Sequence, residues 1–204
     1  MLLALIVATT LTGIAPDELL KAIDNYRQIE SYAVTIHSTS GNNIQNIRYY
    51  YKKPGFVRMD FINPHDGAVL IYNPITRRAN LWPFGIGHFP KLNLSPTNSL
   101  IRGDGGQRID HSDIGTLFEN IRALAIAGTT ENNVSDQGDV HMTITGAINR
   151  LSNEGVHRYE LWLDPKNEFL RKVISYDRQN GVIETVVMES PKANAQLPEG
   201  LFNP

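Results

Sequence analysis

Three residue types that build hydrolase triads stand side by side at His111-Ser112-Asp113. A triad needs nucleophile, base and orienting acid in line, and three consecutive residues cannot bring their side chains into that line. The trio reads instead as a helix cap, and no Gly-x-Ser-x-Gly elbow occurs elsewhere in the chain. Gly103-Asp104-Gly105-Gly106 has the glycine content of a phosphate cradle. No Lys-Ser or Lys-Thr follows it and no clear strand leads through it into a helix, so a turn is expected. Asp164-Pro165-Lys166-Asn167-Glu168 is rich in oxygen but lacks the alternating ligand spacing and central glycine of a calcium loop. The histidines at positions 37, 65, 88, 111, 141 and 157 form no two-on-one-face pair. His37, His141 and His157 could converge across a sheet, although solvent-facing strand positions account for them. These residues predict no catalytic centre, no metal and no cofactor.

The elements that would carry a binding function are more informative. From Pro16 to Glu30, Leu19, Leu20, Ile23 and Tyr26 recur at helical spacing, with Asp17 placed to cap the first turn. The period then changes to two. Tyr32, Val34 and Ile36 alternate against Ala33, Thr35 and His37, and a second strand follows through Ile47, Tyr49 and Tyr51. After Pro54-Gly55, Val57, Met59 and Phe61 share one face while Arg58 and Asp60 take the other. Ala68 to Ile71 and Arg78 to Trp82 complete a meander of about five strands, whose short connections imply antiparallel neighbours. Residues 83–111 keep no period and read as a long loop. Ser112-Asp113 then caps a second helix with an apolar stripe at Ile114, Leu117, Phe118, Ile121 and Leu124, ending at Gly128. Strands are expected again over 141–147, 156–163, 169–176 and 182–188. Roughly nine strands and two helices result, most economically one curved sheet with helices on its concave side.

Composition is consistent with a folded domain. The 204 residues are 41% hydrophobic and 20% charged, and nineteen basic residues stand against twenty-one acidic ones for a net charge of −2. No global positive field exists to gather a nucleic acid. With no cysteine, disulfides, thiolate chemistry and a lipid attached through an N-terminal cysteine are excluded. Met1 to Ala15 carries no charge and has the length of a signal h-region rather than a membrane span, with Gly13 and Ala15 as small residues near a cleavage point. The expected division is a signal peptide or its remnant over 1–15 and one domain over 16–204. A buried N-terminal strand or helix is the alternative for that first run.

Periodicity alone reads the alternating apolar side chains as an ordinary core. A resemblance adds a second reading. Tyr51-Lys52-Lys53-Pro54-Gly55-Phe56-Val57-Arg58-Met59-Asp60-Phe61, followed by Asn63-Pro64 and Leu70-Ile71-Tyr72-Asn73-Pro74, resembles the periplasmic lipoprotein-carrier superfamily typified by LolA and LolB. So does Leu161-Trp162-Leu163-Asp164-Pro165 before Phe169-Leu170-Arg171-Lys172, with Leu197-Pro198 leading to Phe202. Arg108-Ile109-Asp110-His111-Ser112-Asp113-Ile114-Gly115 is more similar to an uncharacterised, DUF1571-like branch of that superfamily.

The resemblance implies an α+β fold: a curved antiparallel sheet forming an unclosed β-barrel of roughly nine to eleven strands, with helices covering the concave face. It implies an apolar cavity between sheet and helical lid for acyl chains. Carried over by position, Val57, Met59, Phe61 and Val69 would line the sheet side, extended by Tyr32, Val34 and Ile36. Ile114, Leu117, Phe118 and Ile121 would form the lid, and Lys53 falls where the carriers place a basic residue that latches it. A lysine cannot make the bidentate contact of an arginine there. The implied function is a soluble, monomeric periplasmic carrier or binder of lipoprotein acyl chains or other lipids, served by a membrane-bound donor or acceptor protein. The alternative is a lipid-sensing regulatory module on the same scaffold that signals through a protein partner.

Overall fold

The computed structural model describes residues 17–103, 106–134, 138–147 and 155–204. The expected signal segment 1–15 lies outside the described residues, as do Asp104 and Gly105 of the glycine-rich turn and Asn153 and Glu154 of the turn expected before residue 156.

Among the described residues eleven strands form one antiparallel sheet: β1 (Ser31–Ser40), β2 (Asn43–Lys52), β3 (Phe56–Asn63), β4 (Val69–Asn73), β5 (Arg78–Trp82), β6 (Leu92–Leu94), β7 (Thr129–Val134), β8 (Val140–Thr145), β9 (Arg158–Leu163), β10 (Leu170–Tyr176) and β11 (Val182–Ala193). Their order is β6-β5-β4-β3-β2-β1-β11-β10-β9-β8-β7, and the edge strands β6 and β7 do not pair with each other, so the barrel is not closed. Two meanders meet where β1 pairs with β11. The sequence reading missed β6 and β7. β6 is three residues long inside a segment without period, and β7 reads Thr-Thr-Glu-Asn-Asn-Val, too polar to signal a strand.

This topology dictates what covers the sheet. The chain leaves one edge at Leu94 and rejoins the opposite edge at Thr129. The segment between them therefore has to cross from edge to edge, and its described residues, 95–103 and 106–128, do so over the concave face. The crossing segment contains short 3-10 turns at Ser99–Ile101 and Ile109–His111 and the helix α2 (Ile114–Ala125). Ile114, Phe118, Ile121 and Leu124 are buried along the inner stripe of α2, each such side chain contributing about 1.5–3 kcal/mol relative to exposure. The helix α1 (Asp17–Arg27) buries Leu19, Ala22 and Ile23 beside it.

Two glycines permit close approach. A Cβ on Gly128 would stand 2.0 Å from Thr145 O, so only glycine lets the end of the crossing segment turn into β7 against β8. A Cβ on Gly115 would stand 2.6 Å from the Tyr26 ring, so glycine lets α1 press that ring onto the first turn of α2.

Candidate functional site

The concave face is divided by where the helices lie. At one end α1 and α2 seal it: Tyr32, Val34, Tyr49, Tyr51 and Val57 are buried with the helical stripe in one core. Tyr32 stacks on Tyr49 and Tyr51, with centroids 5.8 and 5.0 Å away, and meets Phe169 edge-on at 5.9 Å. Burial pushes the phenols of Tyr26, Tyr32 and Tyr49 well above the ordinary tyrosine range, so they remain neutral hydrogen-bonding groups.

These phenols hold the start of α2. The Asp113 side chain accepts from Gly115 N and Thr116 N as the N-cap, and Tyr26 Oη donates to its Oδ1 at 3.0 Å. Ile114 N donates to Tyr32 Oη at 3.3 Å. Tyr49 Oη and Ser112 Oγ lie 3.1 Å apart, while Ser112 Oγ also donates to Ile109 O at 2.9 Å. Asp113 thus acts as the cap and Ser112 as an anchor. The neighbouring His111 is half-exposed, with Nε2 3.8 Å from Asp110.

Beyond the sealed end, the same face borders a cavity of about 490 Å³. Its floor is built from cross-strand rows. Ile36 stands opposite Ile47 and Met188, and Ile47 opposite Phe61. Tyr49 stands opposite Met59, Met59 opposite Leu70, and Leu70 opposite Leu81. All of these residues line the cavity. Leu100, Ile101 and Ile109 of the crossing segment and Leu117 of α2 face them from the lid. One polar part of the wall is formed by Ser38, Gln45, Ser175, Glu184 and Gln107, and another by Arg102, Arg108 and the start of α2. In the first, Glu184 accepts from Ser38 Oγ at 2.5 Å and from Gln107 Nε2 at 2.9 Å.

Of the residues singled out from the sequence, Ile36, Met59, Phe61 and Leu117 border this cavity. Tyr32, Val34, Val57, Ile114, Phe118 and Ile121 lie on the same face but are packed in the sealed core. Val69 requires a correction, because it points to the opposite side of the sheet. It packs there with Ile71, Trp82 and Phe202, while its neighbour Leu70 faces inward opposite Met59. Alternation could not phase this strand, since Val69, Leu70, Ile71 and Tyr72 are all buried. Lys53 donates to Arg27 O at 2.7 Å and to Glu30 Oε1 at 3.0 Å. It therefore fastens the C-terminal end of α1, where a cation also meets the helix dipole.

Sequence reasoning overlooked Tyr159, Val173, Val186 and Met188 in the second meander and all lining residues of 100–109. The strand residues carried a usable signal, because Val186 and Met188 alternate just as Val57 and Met59 do. The 100–109 segment carried none.

No family model and no curated protein matches the chain. Solved structures do. An uncharacterised conserved protein from Thermus thermophilus is similar over 92% of this chain and 91% of its own, with a TM-score of 0.56 and 10% identity. The lipoprotein LppX from Mycobacterium tuberculosis matches over 89% of this chain and 95% of its own, at a TM-score of 0.49 and 11% identity. A LolA superfamily protein from Nitrosomonas europaea matches over 92% and 96%, at 0.39 and 13%. The match to the Thermus protein shows the fold alone: among the described residues, eleven antiparallel strands left unclosed with two helices against the concave face, the unclosed α+β barrel that the resemblance implied.

Proposed function

We propose that this protein is an exported, periplasmic carrier or binder that holds the acyl chains of a lipoprotein or another lipid between its sheet and the crossing segment. One observation carries the reading: the inner face is apolar from the core outward, yet its rows around Ile36, Ile47, Met59 and Phe61 border a cavity of about 490 Å³. Ligand sites commonly span about 300–1,000 Å³. An ordinary core would close such a space, because every unfilled contact on its wall forfeits dispersion energy.

Acyl chains suit this lining. Each CH₂ removed from water contributes about 0.8 kcal/mol, so a long chain gains up to roughly 10 kcal/mol before ordering costs are subtracted. Binding of that kind needs no directional chemistry. Release needs a lid that yields, and the crossing segment is joined to the cavity floor by a few polar contacts, among them Tyr49–Ser112 and Gln107–Glu184. Among the described residues no helix is long and apolar enough to cross a membrane.

The test is protein purified without detergent, extracted and analysed by mass spectrometry. Co-purifying lipid is expected, and Phe61→Glu should abolish it while the far-ultraviolet spectrum is kept, since a carboxylate would then face the cavity. Full lipid retention by that variant would refute the reading. Transfer of the lipid between vesicles would mark a carrier. A lipid-dependent complex with a protein partner, without transfer, would mark the sensor instead.

A further inference from the structure

Beside the cavity, in the loop that follows Pro83 of its wall, stand three exposed apolar side chains. The connection from β5 to β6 reads Pro83-Phe84-Gly85-Ile86-Gly87-His88-Phe89-Pro90-Lys91. Phe84 is 68% exposed, Phe89 92% and Ile86 38%. A single exposed apolar residue is ordinary, but three within six residues of one loop form a patch. The loop is held in shape: Gly85 N donates to Trp82 O and His88 N to Gly85 O. Gly85, at φ +91°, lies against the carbonyl of Gly67, and a Cβ there would come within 3.2 Å of that oxygen. Pro83 at the base of the loop lines the cavity, as do His65 and Ala68 from the connection between β3 and β4. Leu100, on the lid side, also lines it and is 63% exposed. The loop thus springs from the rim of the cavity, Pro83 lining it and Phe84 following directly in the chain.

Charge is sorted along this stretch of the sequence. No Asp or Glu occurs between Asp66 and Asp104, whereas Arg77, Arg78, Lys91 and Arg102 do, in a chain whose net charge is −2. Arg77 and Arg78 stand at the far end of β5, beside Asn73. Lys91 closes the loop, with its ammonium 4.8 Å from the Trp82 ring centroid. Arg102 lines the cavity next to Leu100. The acid nearest in sequence, Asp66, sits on the adjacent β3–β4 connection.

We infer that the β5–β6 loop docks this protein on an anionic bilayer surface with the cavity mouth turned toward the membrane. Phe84, Ile86 and Phe89 enter the boundary between headgroups and acyl chains, and Lys91 and Arg102 meet lipid phosphates. Apolar side chains flanked by basic ones are the chemistry that an interface of this kind retains, and its electrostatic part is weakened by salt. A path from bilayer to cavity that stays apolar would spare an acyl chain from crossing water. The inference extends the lipid reading of the cavity, and the two are measured separately.

The experiment is co-sedimentation of the full chain with vesicles of phosphatidylcholine alone or mixed with phosphatidylglycerol. Binding to the mixed vesicles is expected, decreasing with salt and falling about tenfold or more in the double variant Phe84→Ser, Phe89→Ser. That variant should keep the wild-type melting temperature and lipid content. Lys91→Glu should reduce the preference for phosphatidylglycerol. Absence of vesicle binding by the wild type, or equal binding by the double variant, overturns the inference. So does a wild-type dimer that the double variant splits into monomers without any vesicle binding, which would assign the patch to a second copy of the chain. Should extraction find no co-purified lipid, the carrier reading fails while vesicle binding is still read.

Discussion

Gln107 Nε2 donates to Glu184 Oε2 at 2.9 Å, joining the segment that crosses the concave face to a strand 77 positions further along the chain. The other carboxylate oxygen accepts from Ser38 Oγ at 2.5 Å. Glu184 thereby ties the crossing segment to both β1 and β11, the pair at which the two meanders meet. The Tyr49–Ser112 contact is a second tie, so the lid is fastened by polar contacts beside an apolar space.

Gln107→Ala should loosen this lid more than it weakens the fold. Loss of one such hydrogen bond costs about 1 kcal/mol, which corresponds to a several-fold change in a rate or equilibrium constant. Displacement of a fluorescent fatty acid, followed by stopped flow, should show faster release with little change in melting temperature. An unchanged release rate would remove Gln107–Glu184 from the gating step.

Asp113→Ala should destabilise the protein by about 2 kcal/mol, the upper end for an N-cap. The side chain serves two backbone donors, the Thr116 hydroxyl and the Tyr26 phenol, which would be left without its acceptor. Urea denaturation measures this, and Asp113→Asn should recover part of the loss.

Gly128→Ala tests the crossing geometry. Its methyl group would collide with Thr145 O at 2.0 Å, so backbone must shift at the α2–β7 junction. Such overpacking costs about 1–3 kcal/mol. Thermal unfolding should report it, and unchanged stability would contradict the placement of β7 beside β8.

The pair His37–Glu189, 2.9 Å apart on the solvent-facing side of β1 and β11, should make a pH-dependent contribution. The hydrogen bond to Glu189, followed by that to Asn46, raises the His37 pKa above 6.5. A raised folded-state pKa means that the stabilisation is complete below about pH 6.5 and is lost as pH rises through the folded value. Both side chains are more than a third exposed, so the effect is a fraction of a kcal/mol, as for other solvated ion pairs. The melting-temperature difference between wild type and Glu189→Gln should be largest near pH 5.5 and shrink by about pH 8. A difference independent of pH would show that the pair does not titrate with folding.

Alternation along the strands made much of the sheet legible. Tyr32, Val34 and Ile36 do share a face with Val57, Met59 and Phe61, because side chains in a strand change sides at every residue. The helical period placed both helices within a few residues of their observed bounds, and Asp113 was recognisable as a cap. Val69 was not legible. Its strand is buried on both faces, one by the core and the other by the end of the chain, where Phe202 packs on Val69, Ile71 and Trp82 and Arg58 reaches Leu201 O at 2.9 Å. An unbroken apolar run has no phase of its own.

What the sequence determined by itself was therefore which residues share a face on the alternating strands, the two helices and the lack of any spacing suited to a triad, a phosphate loop or a calcium loop. Which inner residues seal the core and which border a cavity was decided only in three dimensions. Val34 and Ile36 are chemically alike and two positions apart on one strand, yet the first is buried in the helix-sealed core and the second lines the cavity. The difference lies in how far the helices reach across the sheet. That reach is governed by the crossing segment, which joins β6 to β7 at opposite edges of an eleven-stranded sheet. Local periodicity registers the orientation of a side chain; it does not register what a distant segment places over it.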